Sequence, residues 1–105
     1  MHEREHLYIG GSWVEPIGDG SIDVINPATE ERIGSVPVAS NDDVDAAVEA
    51  ARGAFEYWSG TSVEERADFI NRLSAAIKDR SEELAKIITS EVGTPIDYSR
   101  MAMVG

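Results

Sequence analysis

The sequence has no cysteine, only two histidines, and no long run of apolar residues. Without cysteine the chain can make no disulfide, no thiolate metal site and no cysteine nucleophile of its own. Both histidines, His2 and His6, stand in the first six residues, so a Ser-His-Asp triad has no base to draw on. Nothing approaches the roughly 18 consecutive apolar residues of a membrane span. The polar opening Met1-His2-Glu3-Arg4-Glu5-His6 also lacks the form of a secretory signal. Basic residues are scarce too, nine against twenty acidic ones in 105 residues, giving a net charge of -11. With no cluster of Lys and Arg, the chain has no electrostatic route to nucleic acid or anionic lipid. These absences lead us to expect a cytoplasmic protein with no nucleic-acid and no membrane partner. The acid is uneven: residues 1–60 hold 12 acidic and 3 basic side chains, residues 61–105 hold 8 and 6.

What is present is 42% apolar residues, enough for a packed core. Their period changes once along the chain. Residues 1–6 read as a polar arm and residues 7–38 as strands. Leu7 and Ile9 alternate with Tyr8, Trp13 and Val14 resume after Gly10-Gly11, and Ile22 and Val24 alternate with Asp23. That pattern predicts a hairpin turning through the Gly- and Pro-containing stretch 15–20. Asn26-Pro27-Ala28-Thr29 ends its second strand, because Pro27 offers no N–H, and residues 32–38 form a third.

From residue 41 the period is helical. Val44, Ala47, Val48, Ala51, Phe55 and Trp58 share one face of a helix over 41–58, opened by Ser40 and Asp43 as a capping pair. Ser62 and Glu65 open a second helix over 63–79, with Val63, Ala67, Ile70, Leu73 and Ile77 as its stripe. Asp79-Arg80-Ser81 breaks it, and a third helix runs over 81–92. Gly93 ends that one; Thr94 as cap and Pro95 at the first helical position start a fourth over 95–105, which looks cut off at Gly105. Trp13, Phe55, Tyr57, Trp58 and Phe69 are expected in or over the core. The fold class is α/β, and α+β within this stretch: an N-terminal hairpin and a third strand followed by three to four helices, with no second domain.

Motifs that carry chemistry are few. His2-Glu3-Arg4-Glu5-His6 fits H-E-x-x-H, in which histidines one helical turn apart bind zinc and the glutamate acts as base. A zinc hydrolase needs that motif on a rigid helix with a third ligand, and here it precedes a strand pattern, so a solvated arm is the better reading. Asn41-Asp42-Asp43-Val44-Asp45 has the flavour of a calcium loop. Ala46 and Arg52 occupy the places of its glycine and closing glutamate, and a helix N-terminus explains the carboxylates more simply. Gly18-Asp19-Gly20 lacks the third glycine of a dinucleotide loop and carries an aspartate where phosphate would approach. From residue types and spacing alone, no active site is visible.

The order of the segments, taken together, resembles the N-terminal section of the aldehyde dehydrogenase superfamily. The likeness runs through Leu7-Tyr8-Ile9-Gly10-Gly11-Ser12-Trp13-Val14, Asn26-Pro27-Ala28-Thr29-Glu30-Glu31, Asp43-Val44-Asp45-Ala46-Ala47-Val48, Ala50-Ala51-Arg52-Gly53-Ala54-Phe55 and Glu91-Val92-Gly93-Thr94-Pro95. The resemblance implies an enzyme that oxidises an aldehyde to an acid with NAD or NADP through a thiohemiacetal on a cysteine. It implies that the stretch forms part of the cofactor-binding domain, with the remainder of such a chain as its partner and a homo-oligomer as its assembly. The family's catalytic cysteine, glutamate and asparagine and its cofactor-contacting strand-loop-helix lie beyond the matched section. No catalytic and no cofactor residue is therefore assigned, and no cofactor is expected on this segment alone. One family site begins here, a monovalent-cation site using main-chain oxygens, which by position falls on Val24, Ile25 and Glu91. The alternative is a non-enzymatic module that binds a partner through its helical stripes.

Overall fold

The computed structural model describes residues 2–105 and divides the chain into two compact units, residues 2–24 with 32–60, and residues 25–31 with 61–105. The element order is β1 (His2–Glu3), β2 (Leu7–Ile9), β3 (Ser12–Val14), β4 (Ser21–Ile25), β5 (Arg32–Pro37), α1 (Asn41–Ser59), α2 (Val63–Asp79), α3 (Ser81–Val92) and α4 (Ile96–Tyr98), followed by a π-helix, Ser99–Val104. Strands come first and helices after, as the change of period requires.

In the first unit, β2 and β3 form an antiparallel hairpin with Leu7 opposite Val14, Tyr8 opposite Trp13 and Ile9 opposite Ser12. Its turn is at Gly10-Gly11; the expected hairpin through residues 15–20 does not form, since β4 pairs with β5 and not with β3. Two successive positive φ angles, 63° and 85°, are what a two-residue hairpin turn demands, and glycine reaches them without strain. The second sheet has the order β1-β5-β4, with β1 parallel to β5. The expected polar arm is thus in part a strand: His2 pairs with Gly34 and Glu3 with Ser35.

Helix α1 opens with the capping box read from the sequence. Ser40 Oγ accepts the Asp43 N–H, and the Asp43 carboxylate accepts the Ser40 N–H. That carboxylate does more than cap. It also accepts the N–H of Ile17 at 2.9 Å and of Gly18 at 3.2 Å, tying the 15–20 loop to the start of α1. Asp43 is 3% exposed. The backbone N–H groups, those of Ile17 and Ser40 foremost, hold its pKa down at about 2.

In the second unit, Ser62 and Glu65 form the capping box of α2. Arg80 both closes α2 and precedes α3, its φ of -107° and ψ of 15° making the break in one residue. Its guanidinium forks onto Glu83, both contacts at 2.9 Å. The fourth helix differs from the expected 95–105. Pro95, with ψ 139°, stands before the first turn; Ile96–Tyr98 is α-helical and Ser99–Val104 widens into a π-helix. The residue in the cap position is therefore Pro95 and not Thr94, and it offers no side-chain capping hydrogen bond. The π-helix packs on α3 through small residues. Ala85 and Ser99 are both fully buried, and Thr89 and Ser99 share a hydroxyl hydrogen bond of 2.9 Å. Arg100 adds a fork onto Glu82, at 2.8 and 2.9 Å.

The aromatic residues expected in the core are exposed instead. Phe55 is 69% exposed and Tyr57 70%, and the stripes of α1 and α2, from Val44 and Val48 to Ile70 and Leu73, also face solvent. Amphipathic helices need an opposing layer to cover them. Among the described residues, Ala85 is the one hydrophobic side chain that is buried.

Candidate functional site

Two of the segments singled out in the sequence meet in the second unit. The residues 26–31 turn is built by Asn26, whose side-chain oxygen accepts the N–H of Ala28 at 2.9 Å and of Thr29 at 3.4 Å. Its main chain closes the turn, donating to Glu31 O at 2.9 Å and accepting from Glu30 N at 2.8 Å. Asparagine suits this place because its short amide mimics a backbone turn, and Pro27 fixes the next φ. Glu30 takes the left-handed conformation, φ 61°.

Gly93 closes α3 with φ 83°, its N–H donating to Thr89 O at 3.0 Å. It lies so close to the turn that a Cβ built there would come within 2.8 Å of Pro27 Cγ. Glycine is required twice over, for the left-handed cap and for the close approach. Between the turn and the α3–α4 corner lies an open cavity of about 360 Å³, lined by Asn26, Ala28, Lys86, Thr89 and Ser90 among others. No local pattern in the sequence marks this meeting. The helix-ending Gly93 and the strand-ending Pro27 were each legible, but their contact is 66 positions apart in the chain.

The residues of the implied cation site fall at the ends of elements. Val24 and Ile25 are the last two residues of β4, and Glu91 is in the last turn of α3. Val24 belongs to the first unit, and Ile25 and Glu91 to the second. Within the second unit, Ile25 is two residues before Pro27 and Glu91 two before Gly93, the pair in contact. The last turn of a helix leaves carbonyls without partners and carries the negative end of its dipole, which is the right chemistry for a cation.

The remaining candidates are placed plainly. His2 and Glu3 lie in strand β1, so the H-E-x-x-H pattern does not sit on a helix. Glu3 is taken by Arg32 and by the Ser35 hydroxyl, which hold its carboxylate below the usual range. His6 Nε2 lies 2.8 Å from Glu15. Among the described residues no three His, Asp or Glu side chains gather as a metal site. The Gly18-Asp19-Gly20 loop does not fit a phosphate, since the N–H groups of Ile17 and Gly18 that could cradle one already donate to the Asp43 carboxylate. No helix among the described residues is long and apolar enough to cross a membrane.

Comparison with known proteins agrees with this architecture. A family model described as "Aldehyde dehydrogenase family" matches residues 13–105. A 3-succinoylsemialdehyde-pyridine dehydrogenase of a Pseudomonas species is 41% identical over 96 residues, covering 91% of this chain and 20% of that protein. The crystal structure of an aldehyde dehydrogenase from Bartonella henselae superposes with a TM-score of 0.95 at 36% identity, covering 99% of this chain and 22% of that one. A mutant of aldehyde dehydrogenase C from Pseudomonas syringae, crystallised with NAD+ and octanal, gives a TM-score of 0.92 at 48% identity, covering 95% of this chain and 21% of that one. The chain spans about a fifth of the length of these relatives. With the family model covering most of its length, the chain belongs to the aldehyde dehydrogenase family.

Proposed function

We propose that the chain supplies the N-terminal part of an NAD(P)-dependent aldehyde dehydrogenase that oxidises an aldehyde to a carboxylic acid through a cysteine thiohemiacetal. The observation that carries this reading is the match over residues 13–105 at about a fifth of the relatives' length. The exposed stripes of α1 and α2 support it, because an apolar helix face of this kind needs a layer to pack against. The remainder of the aldehyde dehydrogenase chain is the partner that provides it. NAD or NADP and the aldehyde bind to that remainder, which also brings the cysteine these 105 residues lack. The same reading carries a monovalent cation on main-chain oxygens of Val24, Ile25 and Glu91, a homo-oligomeric assembly and a cytoplasmic location.

The test is the intact mass of the native product in its source cells, followed by an assay of aldehyde-dependent NAD(P)+ reduction. A product that extends into a cysteine-bearing region and reduces NAD+ or NADP+ with an aldehyde is the expected result. A native product of these 105 residues alone, inert with aldehyde and either nucleotide, would overturn the proposal and leave a non-enzymatic binding module.

A further inference from the structure

Strand β1 is only two residues long, and its main-chain pairing to β5 is correspondingly slight: the register His2–Gly34 and Glu3–Ser35, and an Arg4 N–H donated to Ser35 O at 3.0 Å. Side chains add the rest. Arg32, on the middle strand of the sheet, reaches Glu3 with Nη1 at 2.7 Å and Nη2 at 3.1 Å. Its Nε donates to Asp23 on β4 at 2.7 Å, and the Ser35 hydroxyl donates to the Glu3 carboxylate. One guanidinium on β5 therefore grips both neighbouring strands. Further along the same segment, His6 meets Glu15 at 2.8 Å.

We propose that residues 2–6 are a charge-latched strap, held on the edge of β5 by the Glu3–Arg32 fork, whose release uncovers the unpaired backbone of that edge. Three observations carry it. Without β1, β5 would become an edge strand, and a row of unpaired N–H and C=O groups invites pairing with other chains unless something covers it. The fork is bidentate and part of a network, the circumstances in which an ion pair near the surface matters. The side chains of Glu3 and Arg32 are 43% and 39% exposed, so salt reaches the latch and can loosen it. In a chain of net charge -11, an unpaired Glu3 would find few other cations.

The experiment is amide hydrogen exchange on the full native chain, read by mass spectrometry with fragmentation to single amides, comparing the Arg4 N–H with the amides of α1. Glu3→Gln keeps the size of the side chain and removes its charge. It is expected to lower protection at Arg4 about tenfold while leaving α1 unchanged. Arg32→Gln should do the same, and about 1 M NaCl should lower Arg4 protection in the parent chain but hardly further in either variant. Equal Arg4 protection in Glu3→Gln and the parent chain, or parent protection indifferent to salt, would overturn the latch. Both readouts survive should Arg32→Gln fail to fold, since neither depends on it.

Discussion

The two units hold themselves together by different means. In the first, the most buried side chain among the described residues is a carboxylate: Asp43 gathers donors from Ile17, Gly18 and Ser40, while Arg32 ties three strands. In the second, the buried side chains are small. Ala85 and Ser99 let α3 and the π-helix come close, and Gly93 fits against Pro27 with no room for a methyl group. One unit relies on charge and hydrogen bonding and the other on close approach, so they should fail differently. Charge removal and acid should loosen the first, and added volume the second.

The largest effect is expected from Ser99→Leu. It forces a bulky side chain into a fully buried site and removes the bond to Thr89, costing about 3 kcal/mol. Chemical denaturation should register the loss, and hydrogen exchange should place it in α3 and the π-helix rather than in α1. Gly93→Ala comes next, at about 2 kcal/mol, from the left-handed φ and the approach to Pro27 together. Equal protection of the 26–31 turn before and after that change would refute the close-approach account of the second unit.

Asp43→Asn tests the first unit. Its melting temperature should fall by less than in either of those variants, with exchange quickening at Ile17 and Gly18. The pH dependence has a definite sign. The folded carboxyl is depressed to about 2, so its contribution is complete above the ordinary carboxylate value near 4 and is lost as pH falls through about 2. Acid titration of the Ile17 and Gly18 amide signals should show this transition in the parent chain and not in Asp43→Asn. The smallest effect is Glu30→Gly. It relieves a left-handed non-glycine residue but loosens the unfolded chain, for a net gain of about 0.5 kcal/mol or less by denaturant titration.

Legibility in the sequence followed the range of the interactions. Both capping boxes could be read, because Ser40 with Asp43 and Ser62 with Glu65 are three residues apart and the cap geometry is local. A hairpin was readable, but not its pairing: the pattern joins 7–14 to 21–25, whereas 7–9 fold onto 12–14 and β4 pairs with β5. Residues 15–20 have more turn formers than Gly10-Gly11, yet the pair at 10–11 takes the backbone angles a tight hairpin needs. The second role of Asp43 was hidden, since a capping carboxylate gives no local sign that a loop 25 residues earlier will share it. The exposed aromatics mark another limit. Periodicity reveals that Phe55 and Leu73 want cover, but not that the cover is missing from this stretch. The meeting of Pro27 and Gly93 needs a contact that no local pattern encodes.

The junction at Arg80 sets a mechanical constraint of its own. Helices α2 and α3 share that residue as end and beginning, with no loop between them. A loop would absorb an added residue as slack; a one-residue joint transmits it as rotation. Each residue of an α-helix advances the side-chain direction by about 100°, so a single insertion before Ser81 would turn α3, with the π-helix packed on it, by about that angle relative to α2. The joint works as a phase lock, fixing where α3 points as well as where it starts, and length changes there should be tolerated far less than at the 26–31 turn.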